Sequence, residues 1–269
     1  MKQRVITAVV ALCLFIPIIV YGGWAIQLTG ALLAAVGVYE LFRMKGLDIV
    51  SLEGVLAIVG AVLLVLPKSP WFALFPSSVT NETLFYLIVM LFLGISVFSK
   101  NTYTLDEAAF PVLVTLYVGT GFQNFVAARQ NGAHGLVTLL YALFVVWSTD
   151  IGAYQIGRMY GKNKLAPSIS PNKTIEGSIG GIVCAVIVSI IYFLLYPTNE
   201  FFQHGFLTMI VLTILFSIVG QLGDLVESAY KRHYGVKDSG NILPGHGGIL
   251  DRFDSLLFVF PIMHLFGIF

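Results

Sequence analysis

The sequence predicts an all-α, polytopic transmembrane protein of about nine spans, and three observations carry that prediction. Of the 269 residues, 57% are hydrophobic and only 11% charged, whereas roughly a quarter of a typical soluble domain is charged. The apolar residues gather into nine runs near the length of roughly 20 residues that a bilayer-crossing helix needs: 5–22, 24–42, 51–67, 83–99, 109–128, 135–157, 175–196, 205–230 and 249–269. With the N-terminus in the cytoplasm, all of the 15 Lys and Arg residues except Lys68 and Arg129 fall on the cytoplasmic side, as the preference of basic residues for cytoplasmic loops requires. The orientation that satisfies length and charge together has the N-terminus inside and the C-terminus outside, in the inner (cytoplasmic) membrane.

Taken in order, the first run follows Lys2 and Arg4. It resembles a signal peptide only superficially, because no small-x-small cleavage site follows and further spans come at once. Gly22 and Gly23 separate the first two runs, which allows either a tight helical hairpin or one long helix kinked at the glycines. Glu40, near the end of the second run, reads as interfacial, and Cys13 and Cys184 read as small core residues without disulfide or zinc spacing. No repeat and no second soluble domain is left over, so 1–269 reads as a single integral membrane domain, with 1–134 poor in polar clusters and 135–269 rich in them. A formal net charge of +1 gives no reason to expect a nucleic-acid partner.

The chemistry concentrates between Asp224 and Asp254. Asp224, Glu227, Ser228 and Lys231 are spaced i, i+3, i+4, i+7 and share one helix face, with Asp224 about 10 Å deeper than Lys231. A charge at membrane depth costs about 2.5–3.5 kcal/mol or more unless it is paired, hydrated or bound to a cation. Asp251, Asp254 and Ser255 share a face at the start of the last run, so the two acidic faces can meet in a cage for a divalent cation. Oxygen ligands without a His/Cys cluster favour Mg²⁺ over zinc, and Mg²⁺ usually shares its shell with substrate phosphates. His246 alone is as suited to orienting a phosphate as to capping a turn.

Between these helices runs KRHYGVKDSGNILPGHGG, whose five glycines let backbone N–H groups approach an anion while the following helix N-terminus favours negative charge. Phosphate recognition follows, with Lys237, Asp238, Gly247 and Gly248 in the loop. A third cluster lies in WSTDIGAYQIGR and SPNKTIEG. Asp150 meets the same depth argument as Asp224, Thr174 stands where it can cap a helix, and Lys173 and Glu176 flank that junction. Gly157 to Asn163 is one residue short of a phosphate-binding P-loop and lacks its final Ser/Thr. Gly177 and Gly181 form a small-x-x-x-small pair suited to helix packing.

The run Ser228-Ala-Tyr-Lys-Arg, then Lys237-Asp238, then Pro244-Gly-His-Gly-Gly-Ile-Leu-Asp-Arg-Phe-Asp254 closely resembles the signature of the phosphatidate cytidylyltransferases, also called CDP-diacylglycerol synthases. WSTDIGAY and SPNKTIEG resemble the family's flanking motifs, so the resemblance covers roughly residues 145–255. It implies transfer of the cytidylyl group from CTP to phosphatidate, a requirement for Mg²⁺ with room for a second, monovalent cation such as K⁺, a bilayer-embedded homodimer and a cytoplasm-facing cavity. The N-terminal helices would then serve as scaffold, dimer contact and lipid access.

Carried over by position, Asp224 and Asp251 would bind metal with help from Glu227 or Asp254. Ser228, Lys231, Arg232, His246, Arg252 and Asp254 would line the polar site, and Lys173, Thr174 and Glu176 would join it at the nucleotide. Two rival readings are a transporter, which would place polar residues near the midplane of repeated halves, and a CTP-dependent lipid kinase. The product separates the enzymes: cytidine appears in lipid for one and phosphate alone for the other.

Overall fold

Each of the nine apolar runs folds as a helix, and glycines, prolines and hydroxyl caps decide where each begins and ends. The computed structural model describes residues 2–100, 102–245 and 247–269. The helices are α1 (Lys2–Tyr21), α2 (Gly23–Lys45), α3 (Leu52–Val65), α4 (Lys68–Trp71), α5 (Asn81–Phe98), α6 (Leu105–Arg129), α7 (Gly135–Tyr160), α8 (Ile175–Leu195), α9 (Thr198–Phe201), α10 (Phe206–His233) and α11 (Leu250–Leu265). Among the described residues, six helices are long and apolar enough to cross a membrane: α2, α5, α6, α7 with the short turn before it, α8 and α10. Val9–Tyr21 and Leu52–Val65 are shorter apolar helices. The chain is a mostly helical, multi-pass membrane protein.

Local chemistry explains the boundaries. Gly22 and Gly23 have φ of 67° and 51°, a pair of left-handed residues that ends α1 and starts α2, so the two are separate helices rather than one kinked rod. Ser51 and Thr80 cap α3 and α5 by accepting the N–H groups of Gly54 and Thr83, and the Asn81 amide closes the end of α3 on the carbonyls of Leu63 and Leu66 at 2.8 and 2.6 Å. Among the described residues, the regular departure from an all-helical plan is a two-stranded antiparallel hairpin, β1 (Lys164–Ala166) and β2 (Ser170–Thr174). Pro167 and Pro171 fall in this segment and keep it from continuing α7.

The chain divides into two units. The first comprises Met1–Val126 together with Ser239–Leu250, and the second Ala127–Asp238 together with Asp251–Phe269. In the first, Gly30 packs against Val126 and Val65, and Gly60 against Thr115 and Ile88, so α2, α3, α5 and α6 approach closely through small residues. The Glu40 side chain, expected at an interface with water, is 0% exposed. It accepts the N–H groups of Ile249 and Leu250, each at 2.9 Å, and the Ser239 hydroxyl at 3.1 Å. Cys13 is exposed rather than a core residue.

In the second unit α7 and α8 lie along one another with almost no side chain between them. A Cβ on Gly177 would stand 2.7 Å from the Ala153 carbonyl oxygen, and one on Gly181 2.7 Å from that of Thr149, so the small-residue pair packs helices as its spacing predicts. Cys184 fits against Gly152 from the other side. A buried aromatic group of Tyr141, Tyr192, Phe193, Phe202 and Phe216 fills the end of this unit away from the charged residues, with the Tyr141 hydroxyl bonded to Thr213 at 2.7 Å.

Candidate active site

All of the membrane-depth acids singled out from the sequence belong to the second unit, where α7, α10 and α11 present them. Asp150, Tyr154 and Arg158 recur at i, i+4, i+8 on α7 and line a cavity of about 440 Å³ together with Asn172, Lys173, Thr174, Gln221 and Asp224. Asp150 opens onto this cavity and is exposed rather than buried. Across it, the Lys173 ammonium lies 2.6 Å from Oδ2 of Asp224, and the other Asp224 oxygen accepts the Ser228 hydroxyl at 3.3 Å, one helical turn on.

One turn further along α10, Lys231 bridges two helices. Its ammonium donates to Oε2 of Glu227 at 2.9 Å and to Oδ1 of Asp251 at 2.7 Å, and the three side chains are 12%, 2% and 7% exposed. The approach of α11 depends on Gly223, whose Cβ, if it had one, would stand 2.6 Å from the Asp254 carbonyl oxygen. Asp254 in turn lies within electrostatic reach of Glu227, Asp224 and Asp150. Asp150, Asp224, Asp254, Glu227 and Asp251 therefore form a chain of repelling carboxylates, with Lys173 and Lys231 as the cations seen among them.

That arrangement bears on whether a cation fits. The donors are hard carboxylate oxygens, and Oε1 of buried Glu227 has no hydrogen-bond partner among the described residues. A buried, unsatisfied carboxylate oxygen is costly unless something positive meets it. Asp224 and Asp251 do not face each other as a bare pair, since each is held by its own lysine, and among the described residues no three acidic, His or Cys side chains converge as a ready-made metal cage. The donor set suits Mg²⁺ shared with substrate oxygens better than a closed all-protein site.

The remaining predicted residues divide by position. Thr174 caps α8 by accepting the Gly177 N–H at 3.1 Å. Glu176 is occupied with the turn after α7, accepting the N–H groups of Lys162 and Asn163 and the Asn163 amide at 2.7 Å. Arg232 is exposed and donates to the Ile169 carbonyl at 3.3 Å, tying α10 to the hairpin turn. Lys237, Asp238 and Arg252 are exposed. Gly247 and Gly248 belong to the first unit with Glu40, and His246 lies outside the described residues. Sequence reasoning passed over Arg158, Asn172 and Gln221. Two of them carried a signal, since Arg158 repeats the Asp150 face and Gln221 sits one turn before Asp224.

A helical membrane protein with an acid-and-lysine cluster beside a cavity has the parts of a membrane-embedded nucleotidyltransferase, and residues 2–269 match the family described as the cytidylyltransferase family. The curated relatives narrow this further. The chain is 46% identical over 269 residues to the phosphatidate cytidylyltransferase of Staphylococcus haemolyticus (strain JCSC1435), with 98% of each chain covered. It is 45% identical over 271 residues to that of Staphylococcus aureus (strain COL), again with 98% of each covered. With that of Bacillus subtilis (strain 168) it shares 43% identity over 265 residues, covering 98% of this chain and 96% of the relative. The chain belongs to the phosphatidate cytidylyltransferase family, and it is a nucleotidyltransferase of phospholipid synthesis. A transporter reading has no support left.

Proposed function

We propose that the chain transfers the cytidylyl group from CTP to phosphatidate, releasing diphosphate and forming CDP-diacylglycerol, at the carboxylate cluster of the second unit. The observation that carries this placement is the pairing of Lys173 with Asp224 and of Lys231 with Glu227 and Asp251 beside an open cavity. Phosphatidate brings its own nucleophilic phosphate oxygen, which attacks the α-phosphorus of CTP as the bond to the diphosphate breaks. No enzyme nucleophile is needed, so Ser228 positions Asp224 rather than attacking. The obstacle is repulsion between two polyanions.

Asp224, Asp251, Glu227 and Asp254 would hold Mg²⁺, and a monovalent cation such as K⁺ could share the cluster. Bound there, Mg²⁺ supplies charge neutralisation on the CTP phosphates and on the departing diphosphate. Lys173 and Lys231 can exchange their carboxylate partners for phosphate oxygens without leaving the site, and Arg158 at the cavity wall offers a planar donor to either anion. Arg232 and Arg252 would hold the phosphatidate head group or the triphosphate. Thr174 and Glu176 hold the hairpin and α8 so that Lys173 keeps its place, while Lys237, Asp238 and the glycine-rich loop with Gly247 and Gly248 meet the nucleotide.

The distribution of Lys and Arg supports nine spans with the N-terminus cytoplasmic and the C-terminus outside the cell membrane, which opens the site to cytosolic CTP. The two acyl chains of phosphatidate require entry from the bilayer, and the family resemblance supports a homodimer. The test is product analysis: CTP labelled in cytosine, supplied with phosphatidate and Mg²⁺ to the purified protein, is expected to yield labelled lipid and one diphosphate per lipid formed. Label that stays in water-soluble CDP with phosphate entering lipid would overturn the proposal.

A further inference from the structure

We infer that Glu40 is a positioning residue for the reaction: its buried carboxylate holds together the two ends of the glycine-rich loop Ser239–Leu250 and so sets the backbone that receives the CTP phosphates. The inference rests on the nucleotidyl-transfer reading above for the loop's role, while the geometry is that of the first unit alone. Glu40 is fully buried. One oxygen accepts the Ile249 N–H at 2.9 Å, and the other accepts the Leu250 N–H at 2.9 Å and the Ser239 hydroxyl at 3.1 Å. The near and far ends of the loop thus meet on a single carboxylate.

The loop is shaped to admit that carboxylate. A Cβ on Gly240 would stand 2.5 Å from Oε1 of Glu40, and one on Gly248 2.4 Å from the same oxygen. Two glycines, one at each end, are therefore required by the acid from α2 as much as by any ligand. Between them the chain turns tightly: the Leu243 N–H bonds to the Gly247 carbonyl at 3.0 Å, and Gly245 and Gly247 have φ of 78° and 87°, a conformation that glycine adopts without strain. The Thr7 hydroxyl donates to the Pro244 carbonyl at 3.0 Å, a second tether at the loop's tip.

Chemistry selects glutamate for this place. An ionised carboxylate is acceptor-only on both oxygens, which suits donors arriving from both ends of the loop. Glutamine would turn an NH₂ group toward one of those donors, and aspartate is one methylene too short to span both ends. Leu250 is the first residue of α11 and the residue immediately before Asp251, so the same bonds satisfy N–H groups at the start of the helix that carries Asp251 and Asp254.

The test uses the full-length protein in detergent, with Glu40→Gln as the main variant and Gly240→Ala as a second disruption that leaves Glu40 in place. Hydrogen exchange of the Ile249 and Leu250 amides is expected to speed up about tenfold or more in both, and the KM for CTP to rise about tenfold while that for phosphatidate stays near the wild-type value. A merely structural glutamate would leave the KM for CTP unchanged in the enzyme that does fold, and that result overturns the inference, as does unchanged exchange at Ile249 and Leu250. Should wild-type protein fail to move cytidine into lipid, the reading of the reaction fails, and a faster loop exchange in Glu40→Gln would then confine Glu40 to ordering the loop.

Discussion

Two buried glutamates, one in each unit, solve the same physical problem in opposite ways. Glu40 is enclosed by donors: backbone N–H groups and a hydroxyl meet both of its oxygens. Among the described residues Glu227 is met on Oε2 by the Lys231 ammonium, no hydrogen bond is made to Oε1, and Asp251 and Asp254 lie within electrostatic reach. The first is a finished structural element whose charge is dispersed over fixed dipoles. The second holds negative charge that is buried and only half met by hydrogen bonds, the arrangement expected of a group that completes its coordination with a ligand.

The sharpest way to break this comparison is to remove charge at the cluster. Asp224→Asn is expected to lower Mg²⁺-dependent diphosphate release from CTP by about 100-fold or more while leaving the protein folded, a loss typical of deleting a group that stabilises transition-state charge. Near-normal turnover would remove Asp224 from the reaction. Next in size, Lys231→Met strands Glu227 and Asp251 together, and the uncompensated buried charge should cost about 3–5 kcal/mol of stability, read as a large drop in thermal midpoint in detergent.

The two glutamates can then be set against each other directly. Glu40→Gln should cost about 1–3 kcal/mol, because a donor is forced against a buried N–H, whereas Glu227→Gln should leave the thermal midpoint unchanged or raise it, since it removes repulsion, yet still depress activity. Equal losses in both variants would erase the distinction. Gly223→Ala tests the framework of the cluster: with the Asp254 carbonyl 2.6 Å from the new Cβ, α10 and α11 must move apart at a cost of about 1–3 kcal/mol. Cys13→Ser, on an exposed face, should change stability by no more than about 0.5 kcal/mol.

How much of this was legible in the sequence depends on the range over which each feature acts. Apolar runs and their helices are local, so each run folds as a helix where the hydropathy places it, and among the described residues six of these helices are long and apolar enough to cross a membrane. The face shared by Asp224, Ser228 and Lys231 is set by helical period alone and survives intact. Partners from distant segments are another matter. Nothing in the spacing shows that Lys173 closes on Asp224 or that Lys231 reaches Asp251, so each of the two aspartates gains a lysine partner that the helical period does not reveal. Glu40 reads as interfacial in the sequence because donors that enclose it, at Ser239, Ile249 and Leu250, come from a loop some 200 residues away in the chain. Glu176 carried no visible sign that the turn at Lys162 and Asn163 would occupy its carboxylate. The β1–β2 hairpin was hidden by its brevity among prolines.

The most direct measurement of the central claim is a titration of the purified protein with Mn²⁺ in place of Mg²⁺, in the presence of a saturating non-hydrolysable CTP analogue, followed by electron paramagnetic resonance. The incomplete coordination of Glu227 predicts that Glu227→Gln weakens Mn²⁺ binding severely while Glu40→Gln binds as the wild type does. Equal binding by all three proteins would contradict the account.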